Sequence, residues 1–439
     1  MKMMIRGFMK TTSLTALVAA AGMLMGNSVY APANAADLGG DCCADLEARV
    51  AELEATTARK GNRVVSLQVY GQVNKALLIY DTDFDSDAYV VDNDASGSRF
   101  GFRGSASMRP GWTAGYQMEF DVQDAASNNV DDGVVITRAS SGAYSNSSAY
   151  DDPSDEIKIR HNYVYIESEH LGRFSIGHQS TATDGIAGIS LANSLSGPSG
   201  DHGTSLTAVA GLAGTSAVGY KSLSLGNFHS DLDGPRDDVI RYDSPSLHGF
   251  ILSAAWGDDD FWDIALRFKR EWNSIRFAAG IGYQDRDDDH RMSSAEDYEI
   301  ISGSAAIMHI PTGIFLSVSG GSKEDGGVDA GEYWYLQGGV ERRWFASGAT
   351  TIYGEYGDYD DFALGARRAA NTTDSVAAGA FIRSSEATRW GFGVVQSYDA
   401  AALDLYANVQ FWDFDWTTDT PSTGSSEIST IMIGTRIKF

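Results

Sequence analysis

The chain has 439 residues, with 33 basic against 59 acidic side chains, a net charge of −26, 48 glycines but only 8 prolines, and 11% aromatic residues. So acidic a chain is unsuited to binding nucleic acid, whose phosphates would repel it. Past the first 25 residues no segment offers the roughly 18 uninterrupted apolar residues of a membrane-spanning helix. Its apolar residues are spread thinly, alternating with polar ones, instead of clustering as a large soluble core requires.

The first element is an export leader. Lys2, Arg6 and Lys10 charge its start, an apolar stretch covers residues 14–25, and Ala33-Asn34-Ala35 forms an A-x-A cleavage site. Cleavage after Ala35 leaves 404 residues, and losing three basic side chains takes the charge from −26 to −29. Residues 36–62 then form a periplasmic segment. It holds the only two cysteines, Cys42 and Cys43. In an oxidising compartment these favour a vicinal or inter-subunit disulfide over free thiols, and no second ligand pair supports zinc. Residues 44–59 place Leu46, Val50 and Leu53 at heptad spacing on a short helix. About two heptads support either a coiled-coil seam within a pre-formed trimer or an amphipathic tether.

From Val64 the period switches to two. Leu67, Val69, Val73, Leu77 and Ile79 share one face, and Gln68, Gln72 and Asn74 the other. Phe100 and Phe102 oppose Arg99 and Arg103, and Trp262, Ile264, Leu266 and Phe268 oppose Asp263, Arg267 and Lys269. The last strand places Ile431, Ile433, Ile437 and Phe439 outward, with Arg436 and Lys438 inward. Polar residues this regular call for a water-facing wall, because burial without partners is costly. Lys75 falls on the apolar face, where mid-bilayer exposure would cost about 2–4 kcal/mol, so it belongs at a subunit contact or a bulge.

Short connections such as MRPGW and MHIPTG alternate with longer ones rich in Asp, Gly and Ser, at 81–97, 123–157, 180–235, 257–260, 286–296, 322–330, 359–387 and 414–426. Seven turns and eight loops join sixteen strands. Residues 375–385 read as a possible seventeenth, but that strand would put a long loop on the short-turn side, so they are assigned to the seventh loop. The expected fold is an all-β, sixteen-stranded antiparallel transmembrane barrel over residues 63–439, with the short N-terminal helix outside it.

Four features together resemble one family: VSLQVYGQVNKALL, RDDVIRYDSPSLHGF, RWGFGVVQSYDAAALDLY and the C-terminal Phe439. They resemble the general porins of Gram-negative bacteria, of alphaproteobacterial type, over about residues 62–439. That resemblance implies an outer-membrane homotrimer passing small hydrophilic solutes and ions through a water-filled pore. It implies contact with lipid and lipopolysaccharide, and a terminal aromatic read by the barrel-assembly machinery. It also implies a third loop folded into the lumen, matching residues 180–235, opposite a basic wall of Arg99, Arg103, Arg160 and Arg241. The loop head holds mainly Asp184 and Asp201, and the acidic P-E-F-G-G-D motif of the enteric type is missing.

Other chemistry has little support. No HExxH or other paired-ligand spacing occurs, the aspartate runs at 257–260 and 285–289 lack EF-hand spacing, and no metal, cofactor or enzyme activity is expected. By strand parity His161 faces lipid, and it has no evident strand-borne serine partner. The competing readings are a solute-selective porin, marked by steeply saturable uptake, and a surface adhesin or receptor barrel with little conductance.

Overall fold

The computed structural model describes residues 64–439 except 84, 131–135, 139–143, 147–156, 200–204, 210–222, 259, 287–297, 326–327, 365–381 and 419–422. The leader, the helix expected at 44–59, Cys42, Cys43 and Asp201 lie outside the described residues.

The alternating sequence forms one large antiparallel sheet of seventeen segments. They are β1 (Gln68–Thr82), β2 (Ser86–Asp92), β3 (Arg99–Arg109), β4 (Trp112–Asp121), β5 (Lys158–Ser168), β6 (Gly172–Ser180), β7 (Arg236–Asp243), β8 (Phe250–Gly257), β9 (Trp262–Trp272), β10 (Ile275–Arg286), β11 (Tyr298–His309), β12 (Ile314–Asp325), β13 (Val328–Phe345), β14 (Gly348–Asp360), β15 (Ile382–Tyr398), β16 (Leu403–Thr418) and β17 (Thr423–Lys438). β1 closes the sheet on β17, pairing Val73 with Ile437 and Ile79 with Ile431. The terminal residue seals this seam, as Phe439 and Gly71 exchange both backbone hydrogen bonds at 2.9 and 3.0 Å. The result is a closed sixteen-stranded barrel.

Seventeen segments make sixteen strands because β2 and β3 are two halves of one wall strand. β2 pairs with β1 as far as Lys75–Asp92, and β3 resumes at Gln72–Arg99. Residues 93–98, six against the two of β1 at Val73 and Asn74, leave the ladder as a bulge around a short 3-10 turn at Asp94–Ser96, which the Asn93 side chain caps. Gln72, on the inner face, donates to the Ser96 and Gly97 carbonyls at 2.7 and 2.8 Å, so the bulge lies on the lumen side. A strand thus runs through residues 86–92, which the sequence pattern assigns to a loop. Likewise Ile382 starts β15, so residues 382–385 belong to the wall and not to the seventh loop. The assignment of a loop to 322–330 also shortens, because β12 and β13 flank residues 326–327 closely.

A second bulge corrects the placement of His161. Across β4 and β5, Glu119 faces His161 while Phe120 faces Ile159, leaving Arg160 unpaired in the register. The extra residue reverses the alternation, so Arg160 and His161 both turn inward. Ile159, Val164 and Ile166 keep the outer face, each about half exposed. Parity counted along an unbroken strand cannot detect such an insertion.

The inner face is also less uniformly wet than the alternation implies. Leu78 and Tyr80 of β1, Tyr359 of β14, Trp412 and Phe414 of β16 and Ile428 of β17 point inward and are fully buried. They form one apolar cluster with Leu206, Leu225 and Phe228 of the 181–235 segment, which covers them. The described residues of that segment thus pack on an apolar part of the inner wall, on β1 and β14 to β17.

Candidate functional site

The segment from Thr181 is held along the inner wall by a sequence of strand carboxylates. Asp263 on β9, 1% exposed, accepts the backbone N–H groups of Ala182 and Thr183 at 3.1 and 2.7 Å and the Thr183 hydroxyl at 2.7 Å. Next, Glu341 on β13 accepts Asn193 N–H at 2.8 Å, and Glu355 on β14 accepts the Ser196 hydroxyl at 2.8 Å. Arg389 on β15 donates to the Gly197 carbonyl, and the Tyr359 hydroxyl to the Pro198 carbonyl, each at 2.7 Å. Apart from a short ladder pairing Leu223 with Val209 and Ser224 with Thr207, this loop backbone lies outside the sheets, and buried N–H and C=O groups must find partners. Inward polar side chains supply them.

Within the loop the returning arm braces the outgoing one. Asp233 accepts Gly185 and Ala187 N–H at 2.7 and 3.0 Å; burial still holds its carboxyl above the usual range. His229 approaches the Ser199 and Leu225 carbonyls at 2.6 and 3.0 Å, with its ring 4.8 Å from that of Trp412. Burial pushes this imidazole down to about 4.

Facing the loop, β3, β4, β5 and β7 carry the basic wall. Its hub is a carboxylate that the sequence reading passed over. Glu119 accepts Arg160 Nε at 3.0 Å and the Tyr70 hydroxyl at 2.9 Å, and lies 3.8 Å from Arg99 Nε. Arg160 also reaches Asp121, at 3.6 Å. Arg103 bonds Gln68 at 2.9 Å and lies over the Tyr70 ring at 5.0 Å. Arg241 has a different position from the other three: it donates to the Ser180 and Thr181 carbonyls at the root of the loop and to Asp243. Of the loop acids, Asp184 lies 3.6 Å from Arg236, at the start of β7, and its backbone carbonyl receives Arg267 at 2.9 Å. The structure therefore brings Arg99, Arg103 and Arg160 onto one wall and adds Glu119 and Arg236 to it. Parity on YQMEF would have found Glu119. Arg236 precedes the alternating part of its strand, so parity gave no signal.

Comparisons with known proteins agree with this architecture. A family model described as Gram-negative porin matches residues 13–415. Among solved structures, an anion-selective porin from Comamonas acidovorans aligns with a TM-score of 0.53 and 14% identity, over 85% of this chain and 100% of its own. OmpT of Vibrio cholerae, in an in-vitro folded form, aligns with a TM-score of 0.49 and 12% identity over 87% and 99% of the two chains. Its trimer form gives 0.49 and 14% over 86% and 100%. No curated protein matches the chain. At such identities the structural likeness carries the fold alone, whereas the family model spans most of the sequence. This chain belongs to the Gram-negative porins, the outer-membrane barrels that let solutes diffuse passively across that membrane.

Proposed function

We propose that the protein is a general diffusion channel for small hydrophilic solutes and ions, with its constriction between the inward loop and the Arg99–Arg103–Arg160 wall. The observation that carries this is the loop's attachment inside the barrel, along the inner wall from Asp263 on β9 to Glu341 on β13, which receives Asn193. A narrow lumen with fixed charge filters by size and field. Asp184 and Glu119 supply the negative groups, and Arg236 joins the positive ones. Arg241 serves as the loop's anchor. The test is single-channel conductance of the purified protein in a planar bilayer, with the reversal potential under a salt gradient. A stable ohmic pore supports the reading, and absence of conductance sinks it.

The chain is proposed to assemble as a homotrimer with the β1–β8 face inward. β7 and β8 have eight residues each, while β13 has eighteen. At about 3.4 Å per residue and a tilt near 40°, eight residues reach roughly 21 Å, short of an apolar band of about 25 Å. On the outer face of β1, between exposed Val73 and Leu77, Lys75 pairs with Asp92 at 2.8 Å and with Asp124. Such ions suit a covered surface. Beside them Ala106, Ala114, Ile166, Phe174 and Ile176 line a hollow of about 400 Å³ that a neighbouring subunit can fill. Closure in three equal current steps would support the trimer; single-step closure would oppose it. Cleavage after Ala35, insertion guided by Phe439, contact with lipopolysaccharide and a non-enzymatic role complete the proposal.

A further inference from the structure

Arg436 lies on β17, three residues before the C-terminus, and is 6% exposed on the inner face. Its guanidinium joins parts of the chain that are remote in sequence. Nη2 and Nε donate to Asp404 Oδ2 on β16 at 2.7 and 3.2 Å. Nη2 also donates to Asn193 Oδ1 in the constriction loop, and Nη1 to Ser96 Oγ in the lumenal bulge, each at 3.1 Å. Both ends are themselves fixed. Asn193 is bound through its N–H to Glu341 and through Nδ2 to Asp404 at 3.2 Å, and the Ser96 hydroxyl receives Gln72 Nε2 at 2.9 Å. Three residues beyond Ser96, Arg99 opens β3, the strand that carries half of the basic wall.

One side chain therefore bonds the loop bounding the passage and the bulge that leads into its opposite wall. We infer that Arg436 is a positioning residue that sets the separation of the constriction loop from the Arg99–Arg103 strand, and with it the width of the passage. The inference rests on the constriction reading above. The Asp404 carboxylate lies against the guanidinium, so the residue acts through geometry more than through net charge. A planar fork reaches three acceptors from a fixed position; a lysine ammonium on a flexible stem is a point charge and does not reproduce it.

The experiment compares the wild-type protein with Arg436→Lys, Arg436→Gln and Asn193→Ala in planar bilayers, after confirming a folded barrel by heat-modifiable migration. Arg436→Lys and Arg436→Gln are expected to change single-channel conductance by about 1.5-fold or more and to raise open-channel current noise about two-fold. Asn193→Ala should move both readings in the same direction, while the reversal potential of Arg436→Lys stays at the wild-type value. Wild-type conductance and noise in Arg436→Lys would show that charge suffices and overturn the inference. If the Arg436 variants fail to assemble, Asn193→Ala, altered off the wall, decides by the same readings. A wild-type protein that does not conduct would instead overturn the constriction reading itself.

Discussion

Arg160 Nε donates to Glu119 Oε1 at 3.0 Å, while the other oxygen of that carboxylate receives the Tyr70 hydroxyl at 2.9 Å. One acid on β4 thus orders the arginines of two neighbouring strands, and its loss should unbalance the lumen. Glu119→Gln is expected to shift the reversal potential towards anions. Neutral replacement of Arg103 and Arg160 together should shift it towards cations. A change of several millivolts under a ten-fold salt gradient, opposite in sign for the two variants, is the result to look for. Unchanged potentials in both would remove these residues from the selectivity wall.

Asp263 accepts three hydrogen bonds from Ala182 and Thr183 at the start of the loop. Asp263→Ala leaves those donors without their acceptor, at a cost of about 2–4 kcal/mol for bonds to a charged, buried group. The loop root should then open to protease in the folded barrel. Cleavage between residues 181 and 235, followed by mass spectrometry, measures this, and a loop as resistant as wild type would contradict it.

His229 gives the protein an acid-sensitive element. The groups facing its ring are Arg389, Tyr359 and Trp412, and burial is the main reason its value falls to about 4. The folded value lies below the unfolded one, near 6.5. Stability is therefore fully present above about pH 6.5 and is lost as pH falls towards 4, by roughly 3 kcal/mol if this histidine alone contributes. Denaturant midpoints for the wild type and for His229→Gln, between pH 7 and 4, test the sign. The variant should have the shallower slope over that window, and equal slopes would assign the acid response to other groups.

On the outer face, Glu332 pairs directly with Asp360, Asp360 with Glu386, and Glu386 with Asp415. Like charges directly opposite one another weaken a sheet. Asp360→Asn is therefore expected to stabilise the barrel by a few tenths to about 1 kcal/mol at low salt, with a smaller gain at high salt. Thermal midpoints at two ionic strengths check this, and a destabilised variant would show that the carboxylates are held by something other than each other.

The barrel itself was legible because a strand in a wall between lipid and water repeats every two residues, and that period is local. Leu77 and Ile79 outward, Arg99 and Arg103 inward, and the closing strand ending at Phe439 all follow from it. Of residues 375–385, assigned to the seventh loop by a count of turns, 382–385 lie in β15 and the rest fall outside the described residues. Bulges defeated the same reasoning. At His161 one surplus residue reversed the alternation, and at 93–98 six residues left the ladder and hid the β2 half of the second strand. Lys75, open to two readings by sequence, is paired with Asp92 beside that break in the wall.

Sequence alone determined the alternating wall, the strand count and the existence of one loop too long to lie outside. It could not say where that loop goes, because Thr183 meets Asp263 and Asn193 meets Arg436 across separations of 80 and 243 residues. Only closure of the sheet brings such residues within hydrogen-bond reach. The periodicity of a strand is set by its own backbone, whereas the passage through the barrel is set by pairings between strands and loop that no local pattern encodes.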